Sequence, residues 1–288
     1  MGTKDTIFSK KTTINCNGSL LDLSVPKVMG VLNVTPDSFY DGGYYKNNEQ
    51  IHRQVQNLVS DQADMIDVGG YSSRPGAEHI SAEDELSRLR PVLEQIRQNH
   101  PEVILSVDTF RADVARIAVE EYQVDIINDI SGGELDSKMF ETIAELQVPY
   151  IMMHMKGTPQ NMKKRAEYDD MMKEITAYFS KKTDQLKRMG VHDVILDPGF
   201  GFAKNIDQNY QLLNQLDQFR FFDLPILAGI SRKSMIYKLL NLEPREALNG
   251  TTVLNTVALE KGADILRVHD VKEAKQAVHI MEKMKETR

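Results

Sequence analysis

Polar and charged side chains recur in this sequence directly after short apolar runs. Aspartate or asparagine ends the third, fourth and sixth of these runs, and basic side chains follow the seventh and eighth. If the runs are parallel strands of one barrel, these side chains meet at its C-terminal rim, where they could act together. The candidates by this rule are Asn33, Arg74, Asp108, Asn128, His154, Asp197, Ser231, Lys233, Arg267 and His269.

The basic members of this set indicate an anion site. Lys233 follows the seventh run, and Arg267 and His269 follow the eighth. A guanidinium presents a planar fork to phosphate oxygens, and an ammonium presents a compact charge. We therefore expect a phosphate or diphosphate here, and Asn33 is a candidate oxygen ligand for a Mg²⁺ ion that bridges this anion.

The carboxylate and amide members indicate a second kind of ligand. Asp108, Asn128 and Asp197 would lie across the same rim from the cations. Buried carboxylates beside an amide suit a flat heterocycle that offers an exocyclic amino group and ring N–H donors. A ligand without such donors would leave buried polar groups unpaired, so this set should select its ligand sharply.

Each of these residues also has a purely structural interpretation. Asp108 and Asp129 could cap helices. Asp197 could start a turn before a proline, and His154 could be a hydrogen-bonded core histidine. Taken one at a time, these interpretations are favoured. Taken together at one rim, the residues favour a functional site, because active sites at that rim are the rule for barrels of this kind.

Eight short runs rich in valine and isoleucine alternate with stretches of helical period. Most of the runs are uninterrupted, as in parallel strands that are buried on both faces. Eight strand–helix units in 288 residues predict an α/β fold, a closed (β/α)8 TIM barrel; an open doubly wound sheet is the alternative. The runs are Val28–Val34, Met65–Val68, Val103–Val107, Val124–Ile127, Tyr150–Met153, Val194–Leu196, Pro225–Ile230 and Ile265–Val268.

A hairpin precedes the first barrel strand. Thr12–Ile14 and Leu20–Leu23 flank Asn17-Gly18, a dipeptide typical of two-residue hairpin turns. We expect this hairpin to cover the N-terminal mouth of the barrel. The sequence contains no linker-like segment inside the barrel, so we predict one domain over residues 1–288, with residues 1–27 as an N-terminal extension and hairpin.

Composition excludes several other classes of protein. The formal charge is −7, from 35 basic and 42 acidic residues, so the chain has no overall positive field for nucleic acid. No apolar run approaches the roughly 20 residues of a membrane span. A single cysteine, Cys16, excludes a disulfide framework and a multi-thiolate zinc site. The first eleven residues lack the apolar core of a signal peptide, so we expect a cytoplasmic protein.

The rim motifs carry a resemblance that covers nearly the whole chain, from about Val28 to Val271. In order, they are Asn33-Val34-Thr35-Pro36-Asp37-Ser38-Phe39, Asp41-Gly42-Gly43, Arg74-Pro75-Gly76, Ser106-Val107-Asp108-Thr109, Ile127-Asn128-Asp129, Met153-His154-Met155, Asp197-Pro198-Gly199-Phe200-Gly201-Phe202, Ser231-Arg232-Lys233-Ser234 and Arg267-Val268-His269-Asp270. They resemble the dihydropteroate synthases, pterin-binding enzymes of folate biosynthesis. One departure is Tyr71-Ser72-Ser73, where the family more usually has a small or acidic residue before Ser-Thr-Arg.

The resemblance implies a reaction and its substrates. The family condenses 6-hydroxymethyl-7,8-dihydropterin diphosphate with 4-aminobenzoate to 7,8-dihydropteroate and diphosphate, with Mg²⁺, through a cation-like loss of diphosphate. It implies catalytic roles for Asp108, Lys233, Asn33 and Arg74. Besides Mg²⁺, the expected partners are the small-molecule substrates, without nucleic acid or membrane, and the amphipathic C-terminal helices leave room for a homodimer.

The resemblance also distributes the binding residues. Two rim loops, Thr35–Gly43 and Ser72–Gly76, are implied to close over the site. The pterin would lie against Asp108, Asn128, Met153, Asp197, Phe202 and Lys233; the diphosphate and its magnesium against Arg267, His269 and Asn33; and the aminobenzoate against Phe39, Pro75 and Ser231. Ser73 and Arg74, in the second loop, are implied to bind substrate as well.

Two other functions stay open at this point. A pterin-dependent methyl transfer module would share the barrel and the pterin-side Asp and Asn, but should lack the Arg267 and His269 pair and the first loop. A catalytically inactive paralogue would bind pterin as a sensor or scaffold. Lys233 could also form a Schiff base, but no carbonyl substrate is implied, so hydrogen bonding to pterin is the favoured role.

Overall fold

The computed structural model describes residues 11–35, 44–72 and 79–287. A two-stranded antiparallel hairpin, β1 (Thr13–Cys16) and β2 (Ser19–Asp22), precedes eight parallel strands. The sheet order is β8-β7-β6-β5-β4-β3-β10-β9, and a bridge between Leu196 and Ile226 joins its two ends. The predicted closed (β/α)8 barrel is therefore confirmed. Its strands are β3 (Lys27–Asn33), β4 (Met65–Gly69), β5 (Ile104–Asp108), β6 (Ile126–Asp129), β7 (Tyr150–Met153), β8 (Val194–Asp197), β9 (Leu227–Ala228) and β10 (Ile265–Val268).

Helices surround the barrel and bury its outer face. Stretches of helical period predicted helices between the strands. In the structure, α2 begins at a reciprocal capping box that Ser81 and Asp84 form. The helices are α1 (Tyr44–Ser60), α2 (Ala82–Asn99), α3 (Ala112–Tyr122), α4 (Met139–Leu146), α5 (Met171–Arg188), α6 (Ile206–Asn214), α7 (Ser234–Tyr237), α8 (Leu248–Glu260) and α9 (Val271–Glu286). Within the described ranges, none of them combines the length and apolar character that crossing a membrane requires.

The inside of the barrel changes character along its axis. Every second residue of a strand faces the same side, so residues two apart on one strand point into the barrel at successive heights along its axis. The lower layer is apolar: Met65, Ile195 and Ile265 belong to one buried cluster, and the partly buried Ile104 packs against it. Two residues further along these strands stand Asp67, Ser106, Asp197 and Arg267. The barrel interior is therefore apolar toward its N-terminal end, which we call the floor, and polar at the C-terminal rim, which we call the mouth.

The N-terminal hairpin closes the opposite mouth. Asn17 and Gly18 have φ of 52° and 88°, the left-handed pair that a type I′ turn needs. The hairpin side chains Ile14, Cys16 and Leu21 belong to the same buried cluster as the barrel floor. This confirms the predicted position of the hairpin and removes solvent from the lower end of the barrel.

Several strand boundaries differ from the sequence prediction, mostly by one residue, and the late starts of β6 and β9 share a reason. β6 starts at Ile126 rather than Val124, and β9 starts at Leu227 rather than Pro225. Aspartates take the place of ladder contacts there: Asp125 Oδ2 accepts from Leu105 N at 2.8 Å, and Asp264 Oδ2 accepts from Ile226 N at 2.9 Å. These carboxylates at the N-terminal ends of strands serve the fold, whereas those at the opposite ends form the candidate site.

Candidate active site

Four residues share one level at the C-terminal rim of the barrel. Asn33 pairs with Gly69, Gly69 with Asp108, and Asp108 with Asn128 in the strand register. A Cβ on Gly69 would lie 3.3 Å from Asn33 Oδ1 and 3.7 Å from Asp108 Cβ. A larger residue would therefore crowd both polar groups, and glycine leaves the space between them open.

Arg267 joins two carboxylates inside the mouth. Its Nε donates to Asp67 Oδ2 at 2.6 Å, and its Nη2 donates to Asp108 Oδ2 at 2.9 Å. Burial opposes the charge of Arg267, but the two carboxylates raise its pKa above its ordinary value. The three groups carry a formal net charge of −1 when both carboxylates are ionised.

Asp67 is the hub of this polar network. It is fully buried, and besides Arg267 it accepts from Ser106 Oγ at 2.6 Å and Asn128 Nδ2 at 3.0 Å. These three hydrogen bonds satisfy a carboxylate that would otherwise be costly to bury. They also fix the orientation of the Asn128 amide, whose oxygen is left as an acceptor.

Burial strongly affects the protonation of Asp108. It raises the pKa of the carboxyl to about 7; the charge of Arg267 opposes this shift and that of Asp67 adds to it. Burial also raises the pKa of Asp197, against the charge of Lys233. Both groups are thus poised to respond to a ligand that brings hydrogen-bond donors or positive charge.

Asp197 begins a tight turn that reaches Phe202. Its Oδ1 accepts from Gly199 N at 2.8 Å, as a turn-starting aspartate does. Gly199 and Gly201 have φ of 75° and 80°, and a Cβ on Gly199 would lie 2.1 Å from the His154 carbonyl oxygen, so glycine is required there. The turn brings the half-buried Phe202 ring to 4.9 Å from Lys233 Nζ.

Lys233 faces the turn from the next strand end. Its Nζ donates to the Phe200 carbonyl oxygen. Burial lowers the pKa of Lys233 to about 8, and the charge of Asp197 opposes this shift. The ammonium therefore stands between an aromatic ring and a carboxylate, where it can donate further hydrogen bonds.

Ser231 and His269 pair with each other at the ends of β9 and β10. Ser231 Oγ accepts from His269 N at 3.1 Å and lies 3.1 Å from His269 Nδ1. In this contact the hydroxyl and the ring nitrogen can each donate or accept. Desolvation by the surrounding groups and the charge of Arg267 lower the pKa of His269, whose side chain reaches the surface of the rim.

Three acceptor atoms of the mouth have no hydrogen-bond partner within the described ranges: Oδ1 of Asp108, Oδ1 of Asn128 and Oδ2 of Asp197. Cations flank them on β10 and after β9. The arrangement suits a ligand that has several N–H donors on one edge and an anionic group at its other end.

Comparison with known proteins decides the family. A model of the pterin-binding enzymes matches residues 29–269. A dihydropteroate synthase of Escherichia coli K12 is 44% identical over 267 residues, which cover 92% of this chain and 94% of the relative. One from Synechocystis is 42% identical and covers 85% of each chain. The chain belongs to the dihydropteroate synthase family of pterin-binding enzymes.

Solved structures of dihydropteroate synthases agree with this assignment. The Yersinia pestis enzyme in complex with a sulfonamide drug has a TM-score of 0.88 at 41% identity and covers 96% of this chain and 100% of its own. The Xanthomonas albilineans enzyme with 4-aminobenzoic acid also has a TM-score of 0.88, at 35% identity, and covers 95% of this chain and 98% of its own.

Most of the residues predicted for a dihydropteroate synthase site converge on one mouth. Asn33, Asp108 and Asn128 share one level, Asp197, Phe202 and Lys233 meet at the next turn, and Ser231, Arg267 and His269 follow. Met153 is buried in one cluster with Phe202. Four predicted residues, Phe39, Ser73, Arg74 and Pro75, lie outside the described residues, as do most of the two loops that carry them.

Asp129 and His154 have structural roles, although the role of Asp129 is not the predicted helix cap, and Asp197 also starts the predicted turn. Asp129 folds its own turn, since it accepts from Ser131 N, Gly133 N and Tyr150 Oη. His154 is buried and bonded to Lys204, with burial lowering its pKa well below the ordinary value. Neither Asp108 nor Asp129 caps a helix: α3 follows Arg111, and α4 follows Lys138.

The sequence analysis missed Asp67. It lies inside the apolar run of β4 and was counted there as part of a strand. The available signal was a charged residue inside an apolar strand: Asp67 lies two residues after Met65 and therefore points into the barrel as Met65 does. Asp67 acts through Arg267 and Asn128 and is therefore a positioning residue.

Proposed function

We propose that this protein condenses 6-hydroxymethyl-7,8-dihydropterin diphosphate with 4-aminobenzoate, which yields 7,8-dihydropteroate and diphosphate. The set of three unpaired acceptors, on Asp108, Asn128 and Asp197, carries this proposal. A reduced pterin presents an exocyclic amino group and ring N–H donors along one edge, and these match the three acceptors. Met153 and Phe202 supply the apolar surface for the flat ring.

The diphosphate would lie toward Arg267 and His269. A ring N–H of His269 and the remaining N–H groups of Arg267 are donors suited to phosphate oxygens. Asn33 fits a magnesium ion, because its amide oxygen is a hard ligand that makes no hydrogen bond within the described residues. Those residues contain no cluster of three or more acidic, histidine or cysteine ligands, so Asn33 would hold the ion together with substrate oxygens. When bound, Mg²⁺ would neutralise charge on the leaving group.

Asp108 would act electrostatically on the reacting carbon. As the bond to the diphosphate oxygen breaks, positive charge develops on the exocyclic carbon and spreads into the pterin. A fixed carboxylate beside this charge lowers the barrier. The aromatic amine is neutral at pH 7 and loses its proton after attack, so the reaction needs no strong general base.

The aminobenzoate would bind at the outer edge of the mouth. Ser231 supports this location, because its hydroxyl contacts His269 and therefore lies beside the proposed diphosphate position. The family resemblance adds further residues to this part of the substrate site: Phe39, Ser73, Arg74 and Pro75.

Isothermal titration tests the function against its alternatives. We expect pterin diphosphate with Mg²⁺ to bind first and aminobenzoate to bind to that complex. An inactive pterin sensor would bind pterin without turnover. A methyl transfer module would show no binding of aminobenzoate. Either result would contradict the proposal.

We further propose a homodimer formed by α8 and α9. Val253, Ile280 and Met284 expose 53%, 60% and 49% of their surfaces on these neighbouring helices, beside a groove of about 540 Å³. A second copy of the same face would bury them. Sedimentation should show a dimer for the wild type and for Phe221→Glu, which changes an exposed apolar residue outside these helices, and a monomer for Ile280→Glu. A monomeric wild type would contradict this proposal.

A cytoplasmic location completes the proposal. Its support is the single thiol: Cys16 is buried and unpaired, which suits a reducing compartment.

A further inference from the structure

Lys204 is a buried lysine behind the candidate active site. It exposes 8% of its surface. Its Nζ donates to the carbonyl oxygens of Gly199 and Phe202 at 3.0 and 3.2 Å and lies 3.3 Å from His154 Nδ1. Within the described residues it forms no ion pair with a carboxylate. Burying an ammonium among neutral acceptors is costly, so the stability of the fold does not by itself explain a lysine at position 204.

The acceptors of Lys204 belong to the turn that starts at Asp197. Gly199 and Gly201 in this turn and Ala203 directly after it have positive φ, a conformation that costs alanine steric strain. Such a turn needs external contacts to keep one shape. Lys204 holds it from one side and Lys233 from the other, through the Phe200 carbonyl oxygen.

The neighbour His154 is suited to accept from this lysine. Its backbone N donates to the Asp197 carbonyl oxygen at 2.9 Å, which ties β7 to the end of β8. The ring packs edge-on against Tyr178 at a centroid distance of 4.9 Å. The ring is therefore fixed, and Nδ1 presents a lone pair to Lys204 Nζ.

We propose that Lys204 is a positioning residue for the pterin pocket: its ammonium holds the 197–202 turn from behind and thereby sets Asp197 and Phe202 against the ring. This inference rests on the proposed function. Lys204 touches neither substrate nor reacting atoms. It acts on the pterin end of the site and leaves the diphosphate end, on β10, unchanged.

Lys204→Met tests the proposal, because it keeps the apolar length of the side chain and removes the donors. We expect affinity for 6-hydroxymethylpterin, measured by calorimetry, to fall about tenfold, equivalent to about one net hydrogen bond. Affinity for inorganic diphosphate should stay within about twofold by the same reasoning. If Lys204 served only the stability of the fold, the substitution would change neither affinity in the folded protein, or would change the affinities for 6-hydroxymethylpterin and diphosphate equally.

Lys182→Met is the matched control. Lys182 is equally buried and donates to Gly132 O at 2.7 Å, in the turn after β6. It should leave pterin affinity unchanged, because Asn128 is held independently by Asp67. Equal losses in the two variants would overturn the proposal. If Lys204→Met does not fold, Lys204→Gln supplies the measurement, because glutamine retains N–H donors without a buried charge. Its affinity for 6-hydroxymethylpterin should lie below that of the wild type, by less than the roughly tenfold loss expected for methionine.

The outcomes separate this inference from the function on which it rests. A wild type that turns over both substrates, with normal pterin affinity in both Lys204 variants, would refute the role of Lys204 alone. A wild type that fails to turn over would refute the proposed function, whatever the variants bind.

Discussion

Replacing Asp108 by asparagine should separate catalysis from binding. In the structure, Asp67, Asp108 and Arg267 sum to −1 with both carboxylates ionised, and the substitution brings this sum to zero. At about 4 Å and an effective dielectric constant of about 20, a full unit charge interacts by about 4 kcal/mol. Because the transition state develops only part of a unit charge, we expect a loss of about 2.7–4 kcal/mol, or about 10²–10³-fold in kcat.

Pterin affinity should change much less in this variant. Asn128 and Asp197 still accept from the pterin edge, and the asparagine oxygen is shared between Arg267 and the ligand. We expect the dissociation constant for the pterin to rise by less than about tenfold. Steady-state kinetics combined with calorimetry give both numbers. An unchanged kcat with only a raised KM would refute the electrostatic role.

The pH profile supplies a second test of the same carboxylate. Burial raises the pKa of Asp108 to about 7, and the ionised form is the one that acts, so wild-type kcat/KM should fall as pH drops through about 7. Lys233, whose pKa burial lowers to about 8, should produce a second fall at alkaline pH. Asp108→Asn should lose the acidic limb and keep the alkaline one. An acidic limb that persists in the variant would assign it to another group.

The remaining predictions concern the anion end and the fold. Arg267→Ala and His269→Ala should weaken pterin diphosphate by at least about tenfold more than hydroxymethylpterin, because each removes a charged or polar partner of the phosphates; calorimetry with both ligands checks this, and equal weakening would rule out a diphosphate site there. The chain should unfold in urea in one transition seen equally by fluorescence and circular dichroism, since the hairpin shares its buried cluster with the barrel floor. Ile14→Ala, in that cluster, should lower the unfolding free energy by about 2–5 kcal/mol, and a separate early transition for the hairpin would contradict the one-domain prediction.

The barrel could be predicted because its signals are local and repeated. The uninterrupted apolar runs Tyr150–Met153 and Val194–Leu196, which became β7 and β8, reflect burial on both faces, and their shortness favours strands over helices. The boundaries of β6 and β9 could not be predicted. They depend on the side chains of Asp125 and Asp264, which accept backbone N–H groups that a neighbouring strand would otherwise accept. These contacts join residues that are far apart in sequence.

The site could be predicted as a set, but its internal pairing could not. Strand ends at one rim follow from parallel topology, which brought Asp108, Asn128 and Arg267 together. Arg267 binds both Asp108 and the buried Asp67. This pairing depends on which residues of each strand point into the barrel and on how far the arginine side chain extends across neighbouring strands. The same holds for Lys204, whose three neutral acceptors come from β7 and the turn after β8.

Release of diphosphate is the measurement that tests the central claim most directly. Purified protein with Mg²⁺ should release diphosphate only when pterin diphosphate and 4-aminobenzoate are both present, with one 7,8-dihydropteroate formed for each diphosphate. Diphosphate release at the same rate without aminobenzoate, or no release with both substrates present, would contradict the proposed condensation.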